Sequence, residues 1–141
     1  HPYQLDRLGL TKALTAMIRK VSAAAQLDIA SSIDNLDGRL SPAAEINLYR
    51  IVQEGLNNIV KHAAATEASV QVRCLPPNLQ VVIQDNGRGF VRAEVPPSGF
   101  GLTGLSERAL LLHGTLQIAS APGQGTRITL TMPLSEKEEK S

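Results

Sequence analysis

The sequence predicts an α+β fold, a two-layer α/β sandwich in which helices cover one face of a mixed, mostly antiparallel sheet. Two patterns predict it: the hydrophobic period changes from helical to alternating after residue 65, and the strands come mainly as neighbouring pairs joined by turns. With 141 residues, 43% of them hydrophobic and 19% charged, the chain can bury one core. That core must be aliphatic, because the only aromatic residues are two Phe and two Tyr.

The composition excludes several classes of function. A net charge of +1 leaves no basic field for nucleic acid or for an anionic membrane. The single cysteine, Cys74, excludes a disulfide framework and a cysteine-based zinc site. The sequence contains no apolar run of the roughly 18 residues that a membrane span requires. We therefore expect a soluble cytoplasmic domain, and its abrupt start suggests a piece of a longer protein.

The first half predicts two helices and one strand. Apolar residues recur at helical spacing over 10–25, which indicates an amphipathic helix. A short alternating strand follows over 27–33. The longest helix begins at Pro42, with Ser41 able to cap it, and runs to about Ala65.

The second half alternates between hairpins and flexible segments. Its elements, in order, are a hairpin of strands 68–75 and 79–85, a glycine-rich loop over 86–101, a helix over 102–113 stopped by Gly114, a second hairpin of strands 115–120 and 126–132, and a charged tail over 135–141. By composition the loop is mobile and the tail frayed. No internal repeat or linker divides the chain.

The long helix carries an unusual polar stripe. Its members share one side of the helix: Asn47, Arg50, Glu54, Asn57, Asn58 and Lys61. A solvated helix face is one interpretation of this stripe. Two adjacent asparagines favour another, since Asn is a poor helix-interior residue without a specific partner. An amide oxygen and a carboxylate on one stripe suit a hard cation that carries phosphates.

Three glycine-containing segments follow. Asp85–Phe90 comes directly after a buried-looking strand; it is either simple turn chemistry or a place where backbone approaches a flat ligand, with Asp85 accepting from an exocyclic amine. Residues 99–104 match GxGxxG, but no strand precedes them, so a dinucleotide site is not predicted. What remains is a helix N-terminus at about Leu102, which favours phosphate. Residues 123–126 alone indicate only a hairpin turn.

Together these four segments, in this order and spacing, resemble the motifs of the GHKL (Bergerat-type) ATP-binding fold, in the version found in sensor histidine kinases of the nitrate-sensor-like subfamily. The resemblance covers about residues 3–134. The matching segments are 51–63 (IVQEGLNNIVKHA) for the N box, 85–90 (DNGRGF) for G1, 101–104 (GLTG) with 106–108 (SER) for G2, and 123–126 (GQGT) for G3.

The resemblance implies ATP and Mg²⁺ as cofactors. It assigns the metal-binding oxygen to Asn58, places Glu54 near the metal-bound water, and brings Lys61 and His62 close to the phosphates. Glu54, Asn58 and Lys61 are therefore the expected catalytic residues.

On the base side, the resemblance gives Asp85 the adenine amino group and places Thr126 in the adjoining water network. It lets Gly87 and Gly89 clear the base. It makes Gly101 and Gly104 lid hinges beside the triphosphate. The expected nucleotide-binding set is Asn58, Lys61, His62, Asp85, Gly87, Gly89, Gly101, Leu102, Gly104 and Thr126.

Two features depart from the family pattern. Gly55 stands where a helix-favouring residue is usual, at a cost of about 1 kcal/mol to the helix. The loop between the G1 and G2 segments is short, and it contains no recognisable phenylalanine-bearing box.

The function implied by the resemblance is that of the catalytic domain of a two-component sensor histidine kinase, spanning 1–134. Such a domain transfers the ATP γ-phosphate to a histidine on a separate dimerisation domain of the same parent protein, for relay to a response regulator. His1 is a poor substitute acceptor, because Pro2 follows it. No nucleic acid and no direct membrane contact is expected, and whether the parent is membrane-anchored stays open. The alternatives are a nucleotide-controlled binding module or serine kinase of the anti-sigma-factor type, and a pseudo-ATPase.

Overall fold

The computed structural model describes residues 2–95 and 99–135, so the predicted loop lies partly, and the predicted tail almost wholly, outside the described residues. Four α-helices are described: α1 (Tyr3–Leu8), α2 (Leu10–Ala25), α3 (Pro42–Asn58) and α4 (Leu102–Leu111). A π-helical turn, Ile59–Ala63, continues α3, and 3-10 turns occupy Arg92–Glu94 and Gly99–Gly101. The strands are β1 (Asp28–Ile33), β2 (Glu67–Leu75), β3 (Asn78–Asp85), β4 (Thr115–Ser120) and β5 (Thr126–Pro133).

The strands form one mixed sheet in the order β1-β2-β3-β5-β4. Only the β1–β2 pair is parallel, and α3 makes the crossover between these two strands, while the other three pairs are antiparallel. Along β2, β3 and β5 the buried residues alternate with more exposed ones, so helices cover one face of the sheet. The predicted two-layer α+β fold is confirmed.

An aliphatic core fills the space between the layers. One buried cluster contains Leu10, Leu14 and Ile18 of α2 together with Leu48 and Leu56 of α3. The sheet contributes its inward-facing residues: Val70, Val72, Leu79, Val81, Ile83, Ile128, Leu130 and Met132. None of the helices in the described part of the chain is long and apolar enough to cross a membrane.

The long helix begins as predicted but ends differently. Ser41 Oγ accepts a hydrogen bond from the Ala44 amide at 3.2 Å, which is the expected N-cap. The predicted α-helix to about Ala65 is wrong after Asn58, where the helix widens into the π turn. The cause is tertiary: the Ala63 carbonyl accepts a hydrogen bond from the Arg88 amide of a distant loop, at 2.7 Å.

Two further differences concern helix α1 and the end of helix α4. Helix α1 was not predicted, because six residues are too few to show a helical period. The end of α4 comes at Leu111 rather than His113, and it is His113, with φ 56°, that adopts the left-handed conformation predicted for Gly114. Gly114 instead permits close packing, since an added Cβ would lie 2.9 Å from the Thr131 carbonyl oxygen.

Candidate functional site

A small cavity of about 40 Å³, which opens to solvent, lies between the end of α3 and the sheet. The residues lining it come from the end of α3, the end of β3, the following loop, the start of α4 and the start of β5: Gly55, Asn58, Ile59, His62, Ala63, Ile83, Asp85, Gly89, Phe90, Leu102, Thr126 and Ile128. Six residues of the expected nucleotide-binding set are thus brought together: Asn58, His62, Asp85, Gly89, Leu102 and Thr126.

Asp85 is the principal polar group in this mainly apolar cavity. It is 7% exposed, and its Oδ1 accepts a hydrogen bond from the Gly87 amide at 2.7 Å. Burial raises the pKa of the Asp85 carboxyl, and backbone hydrogen bonds from Gly87 and Thr126 oppose that rise. A fixed acceptor in an apolar wall is suited to select a ligand that presents a hydrogen-bond donor.

Glycines are required where three backbone segments meet beside Asp85. An added Cβ at Gly87 would overlap the Ala63 carbonyl, and one at Gly125 would overlap the Asp85 carbonyl. Gly89 has φ 61°, and its Cβ would overlap the Ala121 carbonyl. Gly87 and Gly89, which the resemblance places beside the base, are thus needed for the packing of neighbouring backbone.

The start of the predicted mobile loop is anchored by hydrogen bonds. The Arg88 amide donates to the Ala63 carbonyl, and the Arg88 carbonyl accepts from the Gly123 amide, each at 2.7 Å. The Phe90 amide donates to Ser120 Oγ at 2.9 Å. The segment 86–90 is thus hydrogen-bonded to neighbouring parts of the cavity wall, and the mobility of the loop stays a prediction.

Thr126 belongs to a hydroxyl network at the same edge. Ser120 Oγ lies 2.8 Å from Thr126 Oγ1 and donates to the Gly125 carbonyl at 3.1 Å. Because Ser120 has one hydroxyl hydrogen, Thr126 donates to Ser120. Sequence reasoning missed Ser120, although it ends a predicted strand opposite Thr126.

At the other side of the cavity, Asn58 faces the start of α4. Gly101 caps α4 with φ 66° and no side chain, and a Cβ there would lie 3.1 Å from Asn58 Oδ1. The amides of the first turn of α4, from Leu102 onward, therefore lie near the Asn58 amide group. A helix N-terminus beside an amide oxygen can accept an anion together with its cation.

Glu54 lies just outside the cavity, in a polar contact between α3 and α4. Its Oε1 accepts from Arg108 Nε at 3.1 Å, and Arg108 Nη1 donates to Asn47 Oδ1 at 3.1 Å. An added Cβ at Gly104 would lie 2.9 Å from Glu54 Oε2. The ion-pair side chains are 31% and 32% exposed, so the pair contributes at most about 1 kcal/mol to stability. Its main effect is to orient Glu54 toward α4.

The other expected residues lie on the π turn or just outside the cavity wall. His62 is half-buried and lines the cavity, whereas Lys61 is exposed and does not. Gly87, Gly101 and Gly104 are also outside the cavity wall itself. Within residues 2–95 and 99–135, no group of three or more His, Cys, Asp or Glu side chains is placed to hold a metal ion.

The apolar cavity walls were not predicted as part of the site. Ile59, Ile83 and Ile128 are nearly fully buried and look like ordinary core residues in the sequence. The departure at Gly55 was noticed, and the structure explains it: Gly55 is buried against β3, where an added Cβ would lie 2.7 Å from Ile83 Cδ1.

We compared the chain with known protein families to identify the family that shares this site. Residues 43–136, more than half of the chain, match the family described as histidine kinase-, DNA gyrase B-, and HSP90-like ATPase. The chain belongs to this ATPase family. The predicted resemblance to the GHKL fold is therefore confirmed.

Relatives of this ATPase domain are sensor kinases. The chain is 38% identical to the signal transduction histidine-protein kinase/phosphatase UhpB of Salmonella typhimurium, over 94% of the chain and 26% of UhpB. It is 32% identical to the sensor histidine kinase LiaS of Bacillus subtilis, over 98% of the chain and 38% of LiaS. The chain thus spans well under half the length of these two relatives.

A solved structure shares the fold. The blue-light activated histidine kinase EL346 of Erythrobacter litoralis superimposes with a TM-score of 0.78 at 20% identity, over 91% of this chain and 42% of that one. This likeness concerns the fold. The family match and the two relatives confirm the prediction of a catalytic ATP-binding domain of the sensor histidine kinase type. The nitrate-sensor-like subfamily stays a prediction.

The ATPase domain should be more stable when the buried charge of Asp85 is removed. Because the folded state raises the pKa of this carboxyl, wild-type stability falls as the pH rises from about 4 through the raised pKa. Asp85→Asn keeps an acceptor for the Gly87 amide without the charge. We expect it to raise the Tm by about 3 °C at pH 7, and to lose that advantage toward pH 4.

Thermal unfolding from pH 4 to pH 8 checks this. Asp28→Asn, at an exposed position on β1, is the matched control and should show no such gain. A lower Tm for Asp85→Asn at pH 7, or a gain that does not depend on pH, would contradict the assignment of a buried, disfavoured carboxylate.

Hydrogen exchange should show that the first part of the loop is anchored. In the nucleotide-free domain, the amides of Arg88, Phe90 and Gly123 should exchange slowly, since each donates a hydrogen bond. Exchange measured by NMR resolves them individually. If these three exchange as fast as an unstructured peptide, the anchoring is wrong.

Proposed function

We propose that this domain binds Mg-ATP in the cavity and serves as the catalytic domain of a sensor histidine kinase, transferring the γ-phosphate to a histidine of its parent protein. The observation that carries the proposal is the buried Asp85 carboxylate in an apolar cavity that is also lined by Leu102, at the N-terminus of α4. Family membership supports ATP as the ligand.

On the base side, the proposed contact is from the adenine amino group to Asp85. The apolar walls formed by Ile59, Ile83 and Ile128 suit a flat ring, and Asp85 is the acceptor among them. Thr126 stands at the same edge, with hydroxyl lone pairs that its hydrogen bond to Ser120 leaves available to bound water.

On the phosphate side, the N-terminus of α4 and the polar side chains of α3 offer complementary charge. Backbone amides from Leu102 onward would meet the phosphates, with Lys61 and His62 nearby on the π turn. Gly101 and Gly104, at either end of the first turn of α4, would act as hinges when the loop closes over the nucleotide.

Mg²⁺ would be held by the Asn58 amide oxygen, an oxygen ligand of the kind that this cation prefers. When bound, Mg²⁺ neutralises phosphate charge and orients the transferred group. Glu54, oriented by Arg108, would accept a hydrogen bond from a water of the cation. Such an arrangement positions the reactants and stabilises charge, which is most of what phosphoryl transfer requires from a protein.

The acceptor and the later partners lie outside this chain. We propose a histidine on the dimerisation domain of the same parent protein as the acceptor, a response regulator as the next partner, and a cytoplasmic location. The names of the relatives, both histidine kinases, support the acceptor and the response regulator, and the chain covers 26% of UhpB and 38% of LiaS.

Base selection tests the role of Asp85. Guanine has a carbonyl where adenine has an amino group, so a carboxylate facing it would leave two buried acceptors unpaired, at a cost of about 1–3 kcal/mol. Wild type should therefore bind ATP one to two decades more tightly than GTP. Asp85→Asn should weaken ATP and narrow this gap. Competition binding with both nucleotides measures it, and equal wild-type affinities for ATP and GTP would remove Asp85 from the base site.

Neighbouring asparagines provide a matched test of the phosphate side. Asn58→Ala should abolish phosphorylation of a histidine-bearing dimerisation domain supplied in trans, and should weaken Mg-ATP binding by calorimetry while the fold stays intact. Asn57→Ala, at the adjacent exposed position, should leave both unchanged. Full phosphorylation and unchanged Mg-ATP affinity in Asn58→Ala would contradict the metal role.

A further inference from the structure

We infer that Gly55 sets the depth of the base pocket by giving space to the Ile83 side chain, and so determines how deeply the adenine ring can enter. This inference rests on the proposed function, because it concerns the base side of the same cavity. Both residues line the cavity, and they come from opposite layers, Gly55 from α3 and Ile83 from β3.

The contact between the two residues is tight. A Cβ on Gly55 would lie 2.7 Å from Ile83 Cδ1 and 3.7 Å from Ile83 Cγ2. Carbon atoms pack at about 3.5–4.0 Å, so an alanine at position 55 would have to displace the Ile83 δ-methyl by about 1 Å. The end of the Ile83 side chain thus occupies the space that a side chain at position 55 would need.

The cavity is the direction in which Ile83 can yield. Its cross-strand neighbours, Val70 on β2 and Ile128 on β5, are both buried on the same face of the sheet. Val81, two residues before it, is 1% exposed and closes a third side. Since close-packed side chains do not compress, the displaced methyl would enter the free volume of the cavity, where the adenine ring is proposed to lie.

This accounts for a glycine inside a helix. Gly costs about 1 kcal/mol relative to Ala in a helix interior, and Gly55 has a negative φ, so its backbone does not require glycine. The cost is offset if the site needs the pocket depth. Helix stability and nucleotide binding therefore place opposite demands on this position.

The opposing demands allow a sharp test. Gly55→Ala should raise the Kd for ATP about tenfold, and raise that for ADP by the same factor, because the change is on the base side and not at the γ-phosphate. In the nucleotide-free domain, the NMR signal of the Ile83 δ-methyl should shift. Circular dichroism should show that helix α3 is retained.

Ile83→Val removes Cδ1, the atom of Ile83 that the new Cβ would overlap. The double variant Gly55→Ala/Ile83→Val should therefore bind ATP about tenfold more tightly than Gly55→Ala alone. Ile83→Val by itself should give no comparable gain. This coupling between the two substitutions distinguishes the contact from a general loss of packing. If Gly55→Ala fails to fold, the double variant should still fold and bind ATP.

Each other outcome overturns the inference. Wild-type ATP binding with an unchanged Kd in Gly55→Ala would show that position 55 does not set pocket depth, while leaving the proposed function intact. The same holds if Ile83→Val gives no rescue, or if ATP is weakened far more than ADP. Failure of the wild-type domain to bind either nucleotide would instead overturn the proposed function, and this inference with it.

Discussion

The close approach of backbone segments around the end of β3 is the constraint on which the site depends. Gly87 lies against the Ala63 carbonyl, and Gly125 lies against the Asp85 carbonyl, so no side chain can come between them. This contact joins the end of α3, the loop after β3 and the turn before β5 at one place. Asp85, at the end of β3, therefore lies where three chain segments pack against one another.

Several residues around the cavity are not the ones that would make the fold most stable. Burial of Asp85 raises its pKa and disfavours the charged form, although the Gly87 amide compensates in part. Gly55 weakens α3, and Gly101 gives α4 an N-terminus without a capping side chain. Sites that bind ligands commonly depart from the most stable local choice in this way. The departures here all lie along one cavity, whereas the core away from it is regular and aliphatic.

Local signals predicted most of the fold. The Ser41 cap, the two hairpins and the helical period of α2 depend on neighbours in sequence, and each strand lies within one residue of its predicted bounds. The π turn could not be predicted, because its last carbonyl, that of Ala63, pairs with the Arg88 amide of a distant loop. At the end of α4, the bonds from the amides of His113 and Gly114 to Leu110 and Ala109 put the left-handed residue at His113 and not at the glycine.

The same distinction between local signals and distant contacts applies to the site. Asp85, Asn58 and Thr126 were identified by motif order, since polar residues at element ends stand out in a sequence. The apolar walls were missed, because Ile128 has the same pattern as any core strand residue. The contact of Glu54 with Arg108, 54 residues later, also has no local signal.

The π turn has a consequence for how such a domain can diverge. A π turn holds an α-helix with one surplus residue, so a single deletion within Ile59–Ala63 would restore a regular helix without breaking the element. Because the wide turn already absorbs the surplus residue, the residues on either side of the deletion would keep nearly the same positions around the helix axis. Asn58, before the turn, would still face α4, and the Ala63 carbonyl, at its end, could still accept from the Arg88 amide. The π turn is therefore a place where the chain can change in length by one residue without moving the contacts on either side of it.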